Sequence, residues 1–90
     1  MTAFMCRPDI AYRTIDEHVF LITPDGRQHE LVGDVEHCIW RRCEQEPTSF
    51  RTLLSEIVEE FDVGEAEAQT DLTHFLSEMV AAGILSGKDK

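Results

Sequence analysis

The side chains of this 90-residue chain that could do chemistry are scattered. His37-Cys38, with Cys43 and a distant Cys6, comes nearest to a metal cluster. Cys-x4-Cys within one helical pattern does not match structural zinc, whose cysteines usually sit about two to four residues apart on a turn. His18, His29 and His74 fall in different predicted elements and read as surface or rim side chains. Glu59-Glu60 pairs two acids on an exposed helix face, whereas an acid–base dyad needs a cleft that shifts a pKa. There is no glycine-rich phosphate loop, no Gly-x-Ser-x-Gly and no metalloprotease helix. The expectation is a protein without catalytic residues, metal or cofactor. What remains is recognition. Arg27, Gln28, His29 and Glu30 make a polar strand with Leu31 pointing inward, and a later helix offers Leu72, Phe75, Leu76 and Met79 beside Asp71. An extended peptide can add itself to such a strand edge through main-chain hydrogen bonds and send alternate side chains behind it. Methionine suits a pocket that accepts varied side chains. These ten residues form the expected peptide-binding set, with two of the four apolar helix residues expected in the core and the others shared with the groove. Arg27 and His29 could meet acidic peptide residues at the rim, and Asp71 a basic one.

Charge narrows the partners. Eighteen acids against eight Lys and Arg leave a net charge of −10. Thr52 to Gly87 holds no Lys or Arg but eight acids: Glu56, Glu59, Glu60, Asp62, Glu65, Glu67, Asp71 and Glu78. Nucleic-acid binding needs phosphate neutralisation, so no nucleic-acid partner is expected. No apolar run approaches the ~20 residues needed to cross a bilayer, and the start lacks a signal-peptide pattern, which predicts a cytosolic protein without a membrane role. Cys6, Cys38 and Cys43 are odd in number and read as buried thiols rather than a disulfide framework.

Elements that would position the strand and the helix follow from periodicity. One domain over residues 1–90 is expected, with 1–8 and 86–90 as loose ends. Ile10 to Ile15 alternates weakly and reads as a short edge strand, followed by a turn at Asp16-Glu17. His18 to Thr23 is apolar on both faces and reads as the central strand. Pro24-Asp25-Gly26 is a hairpin turn. Arg27 to Val32 returns as a polar edge strand. Gly33-Asp34 opens a first helix, with Glu36 placed to help cap it and with Val35, Cys38, Ile39 and Cys43 inward. Ser49 caps a second helix, whose Phe50, Leu53, Leu54, Ile57, Val58 and Phe61 fall within an arc of about 140°. Asp62-Val63-Gly64 separates it from a third helix that ends at Gly83. Trp40 and Phe61 are expected in the core. The fold class is α+β: a three-stranded antiparallel sheet followed by three helices, β-β-β-α-α-α.

Val19 to Leu85 resembles the PqqD family, small peptide chaperones also called RiPP recognition elements. The resemblance rests on the strand ending in Pro24-Asp25-Gly26, on Gly26-Arg27-Gln28-His29-Glu30-Leu31, and on Ile39-Trp40. It continues through Ser49 to Phe61 with Asp62-Val63, Asp71-Leu72, Phe75-Leu76, and Ala82-Gly83-Ile84-Leu85. Gln28 and His29 stand where the family carries aromatics, and Leu31-Val32 where it has Leu-Asn. The resemblance implies a winged-helix-like fold. It also implies binding of the leader of a ribosomally made precursor peptide between strand three and helix three, and delivery to a modifying enzyme such as a radical SAM protein, a cyclase or a peptidase. Two other classes stay open from the residues alone: an adaptor subunit that binds a protein without any leader, and a winged-helix DNA-binding regulator, which the acidic third helix opposes.

Overall fold

A computed structural model describes residues 2–16 and 18–89. In chain order the elements are β1 (Thr2–Cys6), β2 (Ala11–Ile15), β3 (His18–Ile22), β4 (Gln28–Leu31), α1 (Asp34–Gln45), β5 (Thr48–Ser49), α2 (Phe50–Glu60), α3 (Glu65–Ala81) and β6 (Leu85–Asp89). The α+β class and the expected run of three strands and then three helices are present, within a longer order. Two antiparallel three-stranded sheets form, β2-β3-β4 and β5-β1-β6.

The first sheet follows its sequence signals. β3 is central, with Val19 and Leu21 buried and Phe20 and Ile22 on the open face. The Thr23–Arg27 turn is held by Thr23, whose N–H donates to the Arg27 carbonyl at 2.9 Å and whose hydroxyl accepts from the Arg27 N–H at 3.1 Å. Gly26 sits there at φ 88°, a region that costs an L side chain. Asp16 takes φ 55°, a left-handed conformation that aspartate tolerates better than most residues. Its expected turn partner, Glu17, lies outside the described residues, as do the terminal Met1 and Lys90.

The helices end where their caps predict. The Ser49 side chain accepts from the Thr52 N–H at the start of α2. α3 closes in a Schellman motif: Ile84 N–H reaches the Met79 carbonyl at 2.9 Å and Gly83 N–H the Val80 carbonyl at 3.1 Å, with Gly83 at φ 78°. All three helices send residues into one core, with Ile39, Trp40, Cys43, Leu53, Ile57, Leu72 and Leu76 buried against Val19, Leu21 and Leu31. No helix among the described residues is long and apolar enough to cross a membrane.

Four expectations need correction. The ends are not loose: Thr2–Cys6 pairs antiparallel with Leu85–Asp89, in the register Phe4↔Gly87 and Cys6↔Leu85. Ala3 is buried and Phe4 packs on the core. A side chain at position 87 would approach Phe4 Cε1 to 3.2 Å, so the missing Cβ there makes room for the ring. The polar break after α1 contains β5, which pairs with β1 through Ala3↔Ser49 and Phe4↔Thr48. Phe61 is half-buried rather than core, because α2 stops at Glu60 and leaves it as the C-cap. Cys38 turns away from the core, and its Sγ meets Glu60 Oε2 at 3.4 Å.

Candidate functional site

Among the described residues β4 is hydrogen-bonded on one side only, to β3. Which of its backbone groups are free follows from the turn. Thr23 and Arg27 form a hydrogen-bonded pair, and antiparallel pairs alternate, so Leu21↔His29 and Val19↔Leu31 also exchange bonds. Ile22↔Gln28 and Phe20↔Glu30 do not. The N–H and C=O of Gln28 and Glu30 therefore point to the open edge. Their side chains lie on the exposed face, while His29 and Leu31 face inward. Glu30 Oε2 pairs with His18 Nδ1 at 2.7 Å, and Arg27 Nε with Asp25 at 3.3 Å. A hydroxyl hydrogen bond from Thr23 holds the exposed Asp25 carboxyl below its usual range, the guanidinium of Arg27 adding to it. His29 Nε2 is buried and has no hydrogen-bond partner among the described residues.

Beyond Leu31 the chain passes through Gly33, at φ 115°, into α1. A Cβ at Gly33 would come within 2.6 Å of Glu36 Oε2, so the carboxylate lies beside the cap residue, without a capping hydrogen bond among the described residues. This corner is one lip of a cleft of ≈ 670 Å³ between the start of α1, the end of α2 and α3. Its apolar walls are Val35, Ile39, Ile57, Phe61, Val63, Ala68, Leu72 and Phe75, and its polar lining is Asp34, Glu36, Asp71, His74 and Glu78.

The structure divides the expected peptide-binding residues. Asp71, Leu72 and Phe75 line the cleft, with Leu72 buried at its floor and Phe75 half-exposed. Arg27, Gln28, His29, Glu30 and Leu31 make up the β4 edge and its approach. Leu76 and Met79 are core side chains and do not line the cleft. Three of the four apolar α3 residues are thus buried, one more than expected. Sequence reading missed the α1 and α2 side of the cleft: Val35, Phe61 and Val63 were assigned to helix faces or a linker. The available signal was that α1 begins two residues after the polar strand ends, which brings its first turn to the same corner.

A second cleft, of ≈ 800 Å³, lies between α1 and α2 and is polar: Asp34, His37, Cys38, Arg41, Arg42, Gln45, Glu56, Glu59, Glu60 and Phe61 line it. Arg42 Nη2 bonds Glu56 at 2.9 Å across it. Burial, with Glu60 alongside, pushes the Cys38 thiol up to about 11, and burial pushes Cys6 and Cys43 up to about 12. With burial raising all three, none is activated as a nucleophile near neutral pH. No group of His, Cys, Asp and Glu among the described residues is arranged to hold a metal ion.

No curated protein is similar enough in sequence to count as a relative. Solved structures share the fold. One, of TbiB1 in complex with the TbiA(beta) leader peptide, superposes with a TM-score of 0.83 over 96% of this chain and 99% of that one, at 22% identity. Another, of the heterocyclase TruD, gives a TM-score of 0.66 at 21% identity; 98% of this chain corresponds to 12% of that much longer one. At these identities the likeness is one of fold. The sequence model for the family described as Coenzyme PQQ synthesis protein D (PqqD) matches residues 37–85, more than half of the chain. A match of that extent, running from α1 through the Gly83-Ile84-Leu85 ending, makes this chain a member of the PqqD family.

Proposed function

We propose that this chain binds the leader segment of a ribosomally made precursor peptide by strand addition at β4 and presents it to a peptide-modifying enzyme. It does so without catalysis or a cofactor of its own, in the cytoplasm. The observation that carries the reading is a juxtaposition along the chain. β4, with the outward backbone groups of Gln28 and Glu30, ends at Leu31, close in sequence to Gly33 on the lip of an apolar cleft. A peptide strand there gains main-chain hydrogen bonds at the edge, and alternate side chains find apolar walls behind it. The structure with the 0.83 superposition was solved with a leader peptide bound, and the heterocyclase carries this fold within a larger chain; both support the reading.

β2 offers the other edge of the same sheet, but its surroundings suit a peptide less well. All five of its residues are exposed, and Tyr12 is already engaged, edge-on to Trp40 at 5.2 Å and hydrogen-bonded to Glu44.

The test is calorimetric titration of the leader of a precursor peptide encoded beside the protein, against wild type and Gln28→Pro. Proline at position 28 removes an outward N–H and leaves the β3 ladder intact, so binding should fall at least about tenfold while the fold persists. Equal binding by both proteins would remove the strand-addition mechanism.

A further inference from the structure

We infer that the peptide this chain takes carries a Lys or Arg next to its apolar anchor, and that Asp71 and Glu78 receive that cation; the inference rests on the leader-binding reading above. Apart from His74, the ionisable side chains on the rim of the apolar cleft are all acids. Asp34 and Glu36 stand on the α1 side and Asp71 and Glu78 on the α3 side, and no Lys or Arg among the described residues lines it. None of the four carboxylates has an ion-pair partner among the described residues. Some charges elsewhere are matched locally, as at Arg42–Glu56 and Arg27–Asp25, but those matches do not involve an apolar cleft. An apolar segment entering the cleft brings four carboxylates into a less watery setting, which is unfavourable unless it also brings positive charge.

The two sides are not equivalent. Asp34 and Glu36 lie in the first turn of α1, where the helix end itself supplies about half a positive charge. Asp71 and Glu78 have no helix N-terminus beside them, and the basic-type side chain near them on α3 is His74. Glu78 lies in the last turn of α3, where the dipole is negative and adds to its charge. The two are seven residues, about two turns, apart on one face of α3, with Phe75 between them. A cationic side chain flanking an apolar one seated on Phe75 reaches either carboxylate. Acidic peptides are disfavoured by the same field, so the rim selects as well as binds.

A displayed library of random peptides, each about twelve residues long, selected on the wild-type protein provides the test, with synthetic versions of the winners titrated by calorimetry. The expected result is enrichment of Lys or Arg within two positions of a large apolar residue. Binding should weaken about three- to tenfold in Asp71→Asn/Glu78→Gln, and weaken with added salt. Both positions are exposed, so the double variant should melt like wild type. Selection on Asp71→Lys/Glu78→Lys should enrich Asp and Glu instead. Winners that lose binding in Gln28→Pro but show no basic enrichment, or bind the neutralised variant equally, would overturn this inference and leave the leader-binding reading standing. If no peptide is selected, or if the winners ignore Gln28→Pro, the leader-binding reading fails and this inference with it.

Discussion

The two clefts of this domain share α1 and differ in almost everything else. The larger, between α1 and α2, mixes both signs of charge, and its arginine and glutamate side chains meet across it. The smaller, between α1 and α3, has apolar walls, carboxylates without an ion-pair partner among the described residues, and a lip at Gly33 that follows closely on the edge strand β4. Among the described residues, the larger holds an ion pair of its own, although Arg42 Nε finds no partner there; the smaller exposes apolar area beside four carboxylates that have no ion-pair partner. Volume alone would favour the larger. Unmet chemistry, apolar surface beside free backbone groups, is the better marker of where something binds.

The sharpest way to break the comparison is to remove the wall the smaller cleft shares with the core. Leu76 is buried and lies behind the cleft rather than in it. Leu76→Asp should therefore unfold the domain rather than tune binding, since an unpaired buried carboxylate costs several kcal/mol in a protein whose total stability is only ~5–15 kcal/mol. Loss of the cooperative thermal transition is the expected outcome; a folded variant with weakened peptide binding would mean that Leu76 faces the groove. Trp40→Ala, whose side chain is also buried, should cost about 3–5 kcal/mol by chemical denaturation while retaining a two-state transition.

A second prediction separates edge from core within one strand. Gln28→Pro should leave the melting temperature within a few degrees of wild type. His29→Pro, one residue on, removes an N–H that bonds to Leu21 and should destabilise the sheet by about 3 kcal/mol. Equal melting shifts would mean that the outward positions are assigned in the wrong phase. Phe75→Ala, on the apolar wall, should weaken peptide binding about tenfold and cost only ~1–2 kcal/mol, because its ring is half-exposed in the free protein.

How much of this was legible in the sequence differs between the two sheets. The β2-β3-β4 sheet was readable because each signal is local: an apolar central strand, Pro24-Asp25-Gly26, and a polar return strand. The β5-β1-β6 sheet was not. Its strands are joined only through partners some forty and eighty residues away, such as Phe4 with Thr48 and Gly87. β6 reads Leu-Ser-Gly-Lys-Asp, with glycine and no β-branched residue, so nothing in it announces a strand. The site was half legible for the same reason. Gln28 to Leu31 and the Asp71–Phe75 face of α3 carry local patterns, whereas Val35, Phe61 and Val63 reach the cleft only because three helix ends converge there. Leu76 and Met79 share helical spacing with Leu72 and Phe75, and periodicity cannot tell the core side of an apolar stripe from its shoulder.

The smallest expected effect lies in the polar cleft, and it is the control on the whole comparison. Arg42 and Glu56 are each about one-third exposed on their side chains, at 35% and 30%, and their nitrogen and oxygen lie 2.9 Å apart. Attraction between them is offset by the desolvation of both and by the entropy of holding two long side chains, so such a pair contributes only ~0–1 kcal/mol. Glu56→Gln keeps the size and a hydrogen-bond acceptor and removes the charge, which limits the change to that scale. Arg42→Ala should cost somewhat more, because it also deletes the packed stem of the side chain. Neither variant alters a residue of the apolar cleft or of the β4 edge. Both should therefore bind a leader peptide within about twofold of wild type while showing a small drop in denaturation midpoint. A larger loss of peptide binding in Glu56→Gln than in Phe75→Ala would reverse the assignment and place the peptide between α1 and α2, where the charges now satisfy one another.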